Sequence, residues 1–328
     1  MKIVFPDADS QYVELLAPEL SARLQSLGEF IMYEKMPEEP GEYIRRIGDA
    51  DAVIQTSKLP DEVFDHCPRL KMITYLGIGA ANFINIRRAT EAGVIVTNTP
   101  GYGNNTVAEH ALALLLAVAK HVCQGNSKLR AGVFDQSRMS FELAGKTIGL
   151  IGLGGIGERM AAICRALGMQ VLCWTRNPSP ARAEQSGVKF VEMGELLKNS
   201  DVVSLHLALN EETRGLLGRQ ELALLKQNSV FINTARAEIV DTQALVELLR
   251  DGKLAGAGID VFDREPLTED NPLLGLNNVV MTPHTGFNSP DAVKNILRIT
   301  ISNLEQFAQG KPINVFNPEV LESERRRG

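Results

Sequence analysis

Cysteine, tryptophan and long apolar runs are scarce in this chain, and each scarcity excludes something. There are four cysteines, Cys67, Cys123, Cys164 and Cys173, far apart and with no C-x-x-C pair. That spacing builds neither a disulfide frame nor a zinc site, so reduced thiols of a cytoplasmic protein, and no metal, are expected. The longest wholly apolar run, Ala111 to Ala119, is too short to span a bilayer and is bracketed by Glu109 and Lys120. Met1 to Asp7 has too few apolar residues before Pro6 for a signal peptide. Basic excess is also missing: the formal net charge is -6, which argues against a nucleic-acid partner. The run Glu322 to Arg327 is mixed in sign and terminal, and reads as a frayed, solvated tail. There are no internal repeats and no low-complexity tracts. No membrane association is expected.

With 328 residues, 44% hydrophobic and 23% charged, the chain suits a globular protein of two domains rather than one core. Short apolar runs alternate with helical spacing throughout. Lys2–Phe5, Ala52–Gln55, Leu70–Leu76 and Val94–Thr97 read as strands, with a helix over Tyr12–Leu27. A helix from about Thr106 to Val122, capped by Asn104 or Asn105, is apolar nearly all round and must be buried on several sides. Part of that burial is expected in a homodimer interface through residues 106–122. From Lys146 the rhythm resumes, with strands at Ile148–Ile151, Val171–Trp174, Val202–Leu205, Val230–Asn233, Ala257–Asp260 and Val279–Thr282. A helix follows at 241–250, and a last one at about Pro290–Gln309 returns the chain to the first domain. Apolar strands joined by helices imply an α/β protein with parallel sheets covered on both faces. The expected division is 1–99 plus 287–328 for one discontinuous domain, and 100–286 for the other.

The most informative segment is Lys146 to Gly157. A strand-type run ends at Ile151, glycines follow at the G-x-G-x-x-G spacing (Gly152, Gly154, Gly157), and Ile156, Met160, Ile163 and Leu167 then recur at helical spacing. Gly152 permits the tight turn, Gly154 lets backbone approach a pyrophosphate, and Gly157 lets the helix pack on the strand. The helix N-terminus offers unpaired N–H groups to phosphates. Gly155 and Ile156 belong to the same cradle.

Ligands of a doubly wound sheet bind beyond the carboxyl ends of its strands. That edge collects Arg236 after Val230–Asn233, Asp260 and then Glu265 after the next strand, and His284 after Val279–Thr282. His206 also ends a strand and is placed near the cofactor, as are Thr234, Ala235 and Asp260. The other histidines, His66, His110 and His121, are expected to be packed.

At this point a resemblance covers the chain from about Ala52 to Phe307. Asn98-Thr-Pro-Gly101, Val107-Ala-Glu-His110, Gly152 to Gly157, Ser200 to His206, Asn233-Thr-Ala-Arg236, Val240-Asp241, Gly258 to Phe262, Glu265-Pro266 and Thr282-Pro-His284 occur in order. The chain resembles the D-isomer-specific 2-hydroxyacid dehydrogenases, in particular the glyoxylate and hydroxypyruvate reductases. The resemblance implies two doubly wound parallel-sheet domains, a Rossmann dinucleotide-binding domain being inserted into a flavodoxin-like substrate domain. It implies Arg236 as the substrate-binding arginine, His284 as the acid/base and Glu265 as its acidic partner. It also implies that the backbone N–H groups around Ile78 and Gly79 take a carboxylate oxygen of the 2-keto or 2-hydroxy acid.

The chemistry agrees with those roles. Reducing a 2-keto acid needs a hydride at the carbonyl carbon and a proton at its oxygen. A protonated His284 can donate that proton, Glu265 would orient the ring and favour the imidazolium, and the planar fork of Arg236 suits a carboxylate. Some positions depart from the family: Ala237 replaces a glycine, Ala81 an aspartate, and Thr-Gly-Phe-Asn follows His284 where relatives have an Ala-Gly pair. These touch the pocket rim and bear on the substrate, not the reaction. Two other readings within the same fold are a dinucleotide-sensing co-repressor-like interaction protein and a formate-type dehydrogenase. The co-repressor branch carries long disordered flanks that this sequence does not show, and formate enzymes carry an amide where Glu265 stands. A phosphoglycerate enzyme with a regulatory extension is not expected, because the chain stops soon after the last helix.

For the cofactor, NAD-specific enzymes of this fold place an Asp or Glu roughly 20 residues past the glycines to bind the ribose 2′-hydroxyl. Here Val171–Trp174 is followed by Thr175, Arg176 and Asn177, with no carboxylate and with a guanidinium suited to a 2′-phosphate. NADP(H) is therefore expected to be preferred, with NAD(H) accepted.

Overall fold

The computed structural model describes residues 1–323, and the chain divides into two compact units, Met1–Gly103 with Asn288 onward, and Asn104–Phe287. The expected frayed tail lies outside the described residues from 324 on. Just before it, Pro318–Glu322 forms a 3-10 turn.

The first unit holds a five-stranded parallel sheet: β1 (Lys2–Phe5), β2 (Glu29–Met32), β3 (Ala52–Gln55), β4 (Met72–Tyr75) and β5 (Ile95–Thr97), ordered β2-β1-β3-β4-β5. The strands β3 and β4 are buried at every residue, as their apolar runs require. The edge strand β2 was not anticipated, because only one side pairs and its residues are exposed or half-buried, which weakens the apolar signal. The single helix expected over 12–27 is two, Ser10–Leu15 and Pro18–Ser26. Pro18 has no N–H to continue the first helix and instead opens the second. The last helix, Pro290–Ala308, packs Val293, Ile296, Leu297, Ile301 and Leu304 against one face of this sheet. Its buried Asn303 donates to the Asn98 carbonyl at 2.9 Å.

The second unit holds a seven-stranded parallel sheet: β6 (Thr147–Ile151), β7 (Gln170–Trp174), β8 (Lys189–Phe190), β9 (Val202–Leu205), β10 (Val230–Asn233), β11 (Gly256–Ile259) and β12 (Val279–Met281). Its order is β12-β11-β10-β9-β6-β7-β8. The order reverses at β6, which pairs with β7 on one side and β9 on the other. One apolar cluster covers each face of the sheet. The long apolar helix spans Asn104–Ala119, so Asn104 lies in its first turn and does not precede it. Its Ala108, Ala111, Leu114, Leu115 and Val118 are buried in this unit's own core. It stops short of Val122 because His121 is left-handed (φ 52), and a second helix, Val122–Arg130, leaves at 60°. Among the described residues no single helix is long and apolar enough to cross a membrane.

Asp201, at the entry to β9, ties this strand to its neighbour. It accepts from the Thr147 N–H at 2.9 Å and from Lys226 Nζ at 2.6 Å. Burial works to raise its pKa, but the Lys226 ammonium and the Thr147 N–H outweigh burial and hold the carboxyl below its ordinary 3.8. A depressed acid stabilises the fold above its unfolded value and loses that contribution as pH falls through the folded one. Asp201→Asn should therefore melt several degrees below the parent at pH 7, and this gap should close as pH falls below about 4. A gap that stays constant between pH 7 and pH 3 would show that the carboxylate's charge does not matter.

Candidate active site

The glycine turn leaves β6 at Ile151. Gly152 is left-handed (φ 103), and a Cβ there would collide with the His206 carbonyl; one on Gly157 would collide with the Gly152 carbonyl. Both glycines are thus demanded by the turn itself. Gly154 differs: nothing lies within 4 Å of where its Cβ would be. No packing requires that glycine, so the open space above it suits the close approach of a phosphate. Gly154 is also the N-cap of the helix Gly155–Ala166 and supplies no side-chain cap, which leaves that end's N–H groups available to an anion.

Two buried polar atoms on the same sheet edge lack a protein partner among the described residues, His206 Nδ1 and Thr234 Oγ1. Burial pushes the His206 imidazole down to about 4, so the ring is neutral at physiological pH. Its Nε2 lies 3.0 Å from Ser204 Oγ. An uncharged ring with one nitrogen unsatisfied fits a polar ligand such as a dinucleotide.

Beyond β7, the exposed Arg176 forms an ion pair with Glu212, from the loop after β9. Arg182 donates to the Leu153 carbonyl at 2.5 Å and to the Asn177 carbonyl at 2.8 Å, tying the glycine turn to the loop that carries Arg176. Neither Glu212 nor Arg182 was marked by the sequence, since both act through contacts distant along the chain.

The strands β10, β11 and β12 lie side by side and deliver the remaining groups. Buried Asn233 closes the loop after β10: its Oδ1 accepts from the Ala235 N–H and its Nδ2 donates to the Arg236 carbonyl, each at 3.0 Å. Arg236 is half-buried, with Nη1 donating to the Ala235 carbonyl at 2.6 Å. Asp260, at the end of β11, is buried and turned towards the loop after β12. It accepts from Thr282 Oγ1 at 2.6 Å and from the N–H groups of Thr285 and Gly286, each at 2.9 Å. Its oxygens are thus engaged inside the protein, at the strand end where the sequence places it. His110 Nε2 lies 2.8 Å from Thr282 Oγ1 and 3.3 Å from Asp260, so His110 belongs to this network and is not merely packed. Burial opposes the charge on Asp260, but the donors from His110, Thr282, Thr285 and Gly286 outweigh it and hold the carboxyl below its usual range. His66 also departs from expectation, being exposed on a short helix.

The loop so held presents His284 in the left-handed region (φ 53). Its Nδ1 lies 2.7 Å from Glu265 Oε2, and the other oxygen of Glu265 accepts from the Phe262 N–H at 3.0 Å. An ionised carboxylate only accepts, so Nδ1 carries the proton and Nε2 faces away from the pair. Nε2 makes no hydrogen bond among the described residues, and both side chains are about one-third exposed, at 34% and 36%. The result is an oriented imidazole with its second nitrogen open to a ligand.

Ile78 and Gly79 lie in the other unit, in the loop after β4. Their N–H groups make no hydrogen bond among the described residues, while the Ile78 carbonyl accepts from Asn98 Nδ2 at 2.9 Å. A cavity of about 1070 Å³ is also in that unit, lined by Pro37, Tyr43, Ser57, Lys58, Asn82 and Phe83. None of the predicted site residues lines it. Among the described residues no cluster of His, Cys, Asp or Glu has the makings of a metal site.

Known proteins resemble this chain over nearly its whole length. The family described as "D-isomer specific 2-hydroxyacid dehydrogenase, NAD binding domain" matches residues 112–286. The hydroxypyruvate reductase of Blautia hydrogenotrophica is 38% identical over 304 residues, 90% of this chain and 94% of that one. The glyoxylate reductase of Thermococcus litoralis is 37% identical over 302 residues, 88% of this chain and 91% of its own length. Among solved structures, an acyclic imino acid reductase in complex with NADPH and D-Arg superposes with a TM-score of 0.84 at 31% identity, covering 96% of this chain and 100% of that one. The chain belongs to the D-isomer specific 2-hydroxyacid dehydrogenase family and is an oxidoreductase that passes a hydride between a nicotinamide cofactor and a small 2-keto or D-2-hydroxy acid.

Proposed function

We propose that the physiological reaction is reduction of a short 2-keto acid of the glyoxylate or hydroxypyruvate type, with His284 as proton donor, Glu265 as its orienting partner and Arg236 as the substrate clamp. The observation that carries this reading is the 2.7 Å pair of His284 Nδ1 and Glu265 on a loop fixed from below by Asp260. The names of the two reductases above support the substrate class. With its pyrophosphate held at the glycine turn, a reduced nicotinamide cofactor would supply the hydride. Arg236 offers its N–H donors to one carboxylate oxygen and the keto oxygen of the substrate, and the N–H groups of Ile78 and Gly79 are assigned to the other carboxylate oxygen. His284 gives the proton on Nε2 to the carbonyl oxygen as that oxygen becomes a hydroxyl, and is left neutral. Glu265 stays on Nδ1 and keeps the ring in one orientation.

The cofactor contacts assigned to this site are Gly152, Gly154, Gly155, Ile156 and Gly157 at the phosphates, Thr175 and Arg176 at the adenosine ribose, and His206, Thr234, Ala235 and Asp260 along the edge. NADP(H) is the preferred cofactor in this reading. Its support is the run Thr175-Arg176-Asn177, which puts a guanidinium and no carboxylate at the end of β7.

The partner proposed is a second copy of this chain. The helix Asn104–Ala119 buries Ala108, Ala111, Leu114, Leu115 and Val118 in its own unit and leaves Leu112, Leu116 and Ala117 partly covered, so the interface through 106–122 is proposed to continue along the chain. Val122, Leu129, Val133, Phe134 and Met139 are exposed, Phe134 at 78% and Met139 at 92%. So many large apolar side chains within one segment of a chain of net charge -6 favour burial against an identical surface. The free cysteines support a reducing compartment, the cytoplasm.

Three measurements follow. His284→Ala should lower kcat by about 10²–10⁴-fold with the KM for keto acid little changed, whereas Arg236→Lys, which keeps charge but loses the fork, should act mainly by raising KM. A fall in kcat below about tenfold for His284→Ala would move the proton to another residue. Steady-state comparison of NADPH and NADH with one good keto acid should favour NADPH, and Arg176→Ala should remove the preference. Higher efficiency with NADH in the parent would end the NADP(H) reading. Sedimentation analysis should give a dimer, converted to monomer by Phe134→Asp; a monomeric parent would refute the interface.

A further inference from the structure

We propose that Glu212 sets the choice between the two nicotinamide cofactors, acting as an internal competitor of the 2′-phosphate for Arg176 and as the acceptor for the ribose 2′-hydroxyl when that phosphate is absent; this rests on the reading that Arg176 receives the phosphate. The sheet order is the starting point. The strand bearing the glycine turn, β6, lies between β7 and β9. Arg176 leaves the end of β7 and Glu212 belongs to the loop after β9, so their ion pair joins the loops on the two sides of that turn.

The backbone at Glu212 is held firmly. Asn210 Oδ1 accepts from the N–H groups of Glu212 at 3.0 Å and Thr213 at 2.9 Å, and the buried Thr213 hydroxyl donates to the Ala208 carbonyl at 2.7 Å. The carboxylate is therefore presented by a fixed turn. On the other side, Arg182 is spent on the carbonyls of Leu153 and Asn177. Of these two arginines, Arg176 is the one whose guanidinium is engaged by an exchangeable, exposed carboxylate.

An acid that meets the 2′-hydroxyl is usually the last residue of the second strand, where this chain has none. Glu212 brings an equivalent carboxylate to the same place from a different loop. With a bare ribose the carboxylate accepts the hydroxyl and the ion pair stays. With a 2′-phosphate, like charge drives Glu212 away and Arg176 exchanges one anion for another. Both side chains are more than half exposed, at 55% and 65%, so breaking the pair costs little and both cofactors are admitted.

Glu212→Gln removes the competing charge and keeps the shape. Trp174 is the only tryptophan and directly precedes Thr175, so its fluorescence reports on ligands at this edge. Titrating the full chain with 2′,5′-ADP and with 5′-ADP, the ratio of their affinities should rise about three- to tenfold in Glu212→Gln, the scale of one exposed charge contact with a phosphate. The rise should be smaller when Glu212→Gln is made in the Arg176→Ala background, where no guanidinium remains to be competed for; an equal rise there would overturn the competition. An unchanged ratio in Glu212→Gln, with Arg176→Ala alone weakening 2′,5′-ADP, would overturn the role of Glu212 and leave the NADP(H) reading standing. If Arg176→Ala alone leaves 2′,5′-ADP binding intact, the NADP(H) reading fails and the competition proposed here fails with it.

Discussion

A single buried carboxylate organises the reactive end of this molecule. Asp260 sits where β11 stops, and its oxygens accept from Thr282 Oγ1 and from two consecutive backbone N–H groups, Thr285 and Gly286. Those donors bracket His284, whose left-handed backbone costs on the order of 1 kcal/mol for a residue with a Cβ. Hydrogen bonds to an ionised group contribute roughly 1.5–3 kcal/mol each, so three of them outweigh that strain comfortably. The conformation is thus maintained from below, and the imidazole meets Glu265 without help from a ligand. His110 extends the network to the helix Asn104–Ala119, which couples the histidine loop to the core of the unit.

The sheet order explains why the two kinds of group are sorted as they are. Cofactor-type features, the glycine turn, Arg176 and His206, follow β6, β7 and β9, around the point where the strand order reverses. Arg236, Glu265 and His284 follow β10, β11 and β12 on one flank of it. In a parallel sheet every strand ends on the same edge, so residues more than a hundred positions apart meet there. Separation along that edge keeps His284 and Glu265 apart from the glycine turn at Gly154.

Much of this is legible in the sequence alone. β9 and β10 were expected at their observed bounds because buried parallel strands are continuous apolar runs, and the glycine turn shows itself by spacing. The glycines also illustrate the limit of spacing: Gly152 and Gly157 are required by collisions with the chain itself, whereas only the open space at Gly154 points to a ligand. What stayed hidden is tertiary in origin. The edge strand β2 is paired on one side, so its pattern is diluted. The break at His121 comes from one left-handed residue in an otherwise apolar stretch. His110, Arg182 and Glu212 carry no local signature at all, and the inward turn of Asp260 depends on donors more than twenty residues away. Arg236, Glu265 and His284 were recognisable as candidates through their strand-end positions and the family resemblance, while the hydrogen bonds that orient them were not.

The claim at the centre is that His284 reaches the reacting oxygen from a loop already in place, with Arg236 on the carboxylate. The most direct measurement is a crystal structure of the ternary complex with oxidised cofactor and a non-reducible analogue of a 2-keto acid. His284 Nε2 should lie within hydrogen-bonding distance of the analogue's carbonyl-equivalent atom, with Nδ1 still on Glu265, the Asp260 contacts to Thr285 and Gly286 unchanged, and the Arg236 guanidinium paired with the carboxylate. An analogue bound away from His284, or a 282–286 loop that lets go of Asp260 to reach it, would contradict that claim.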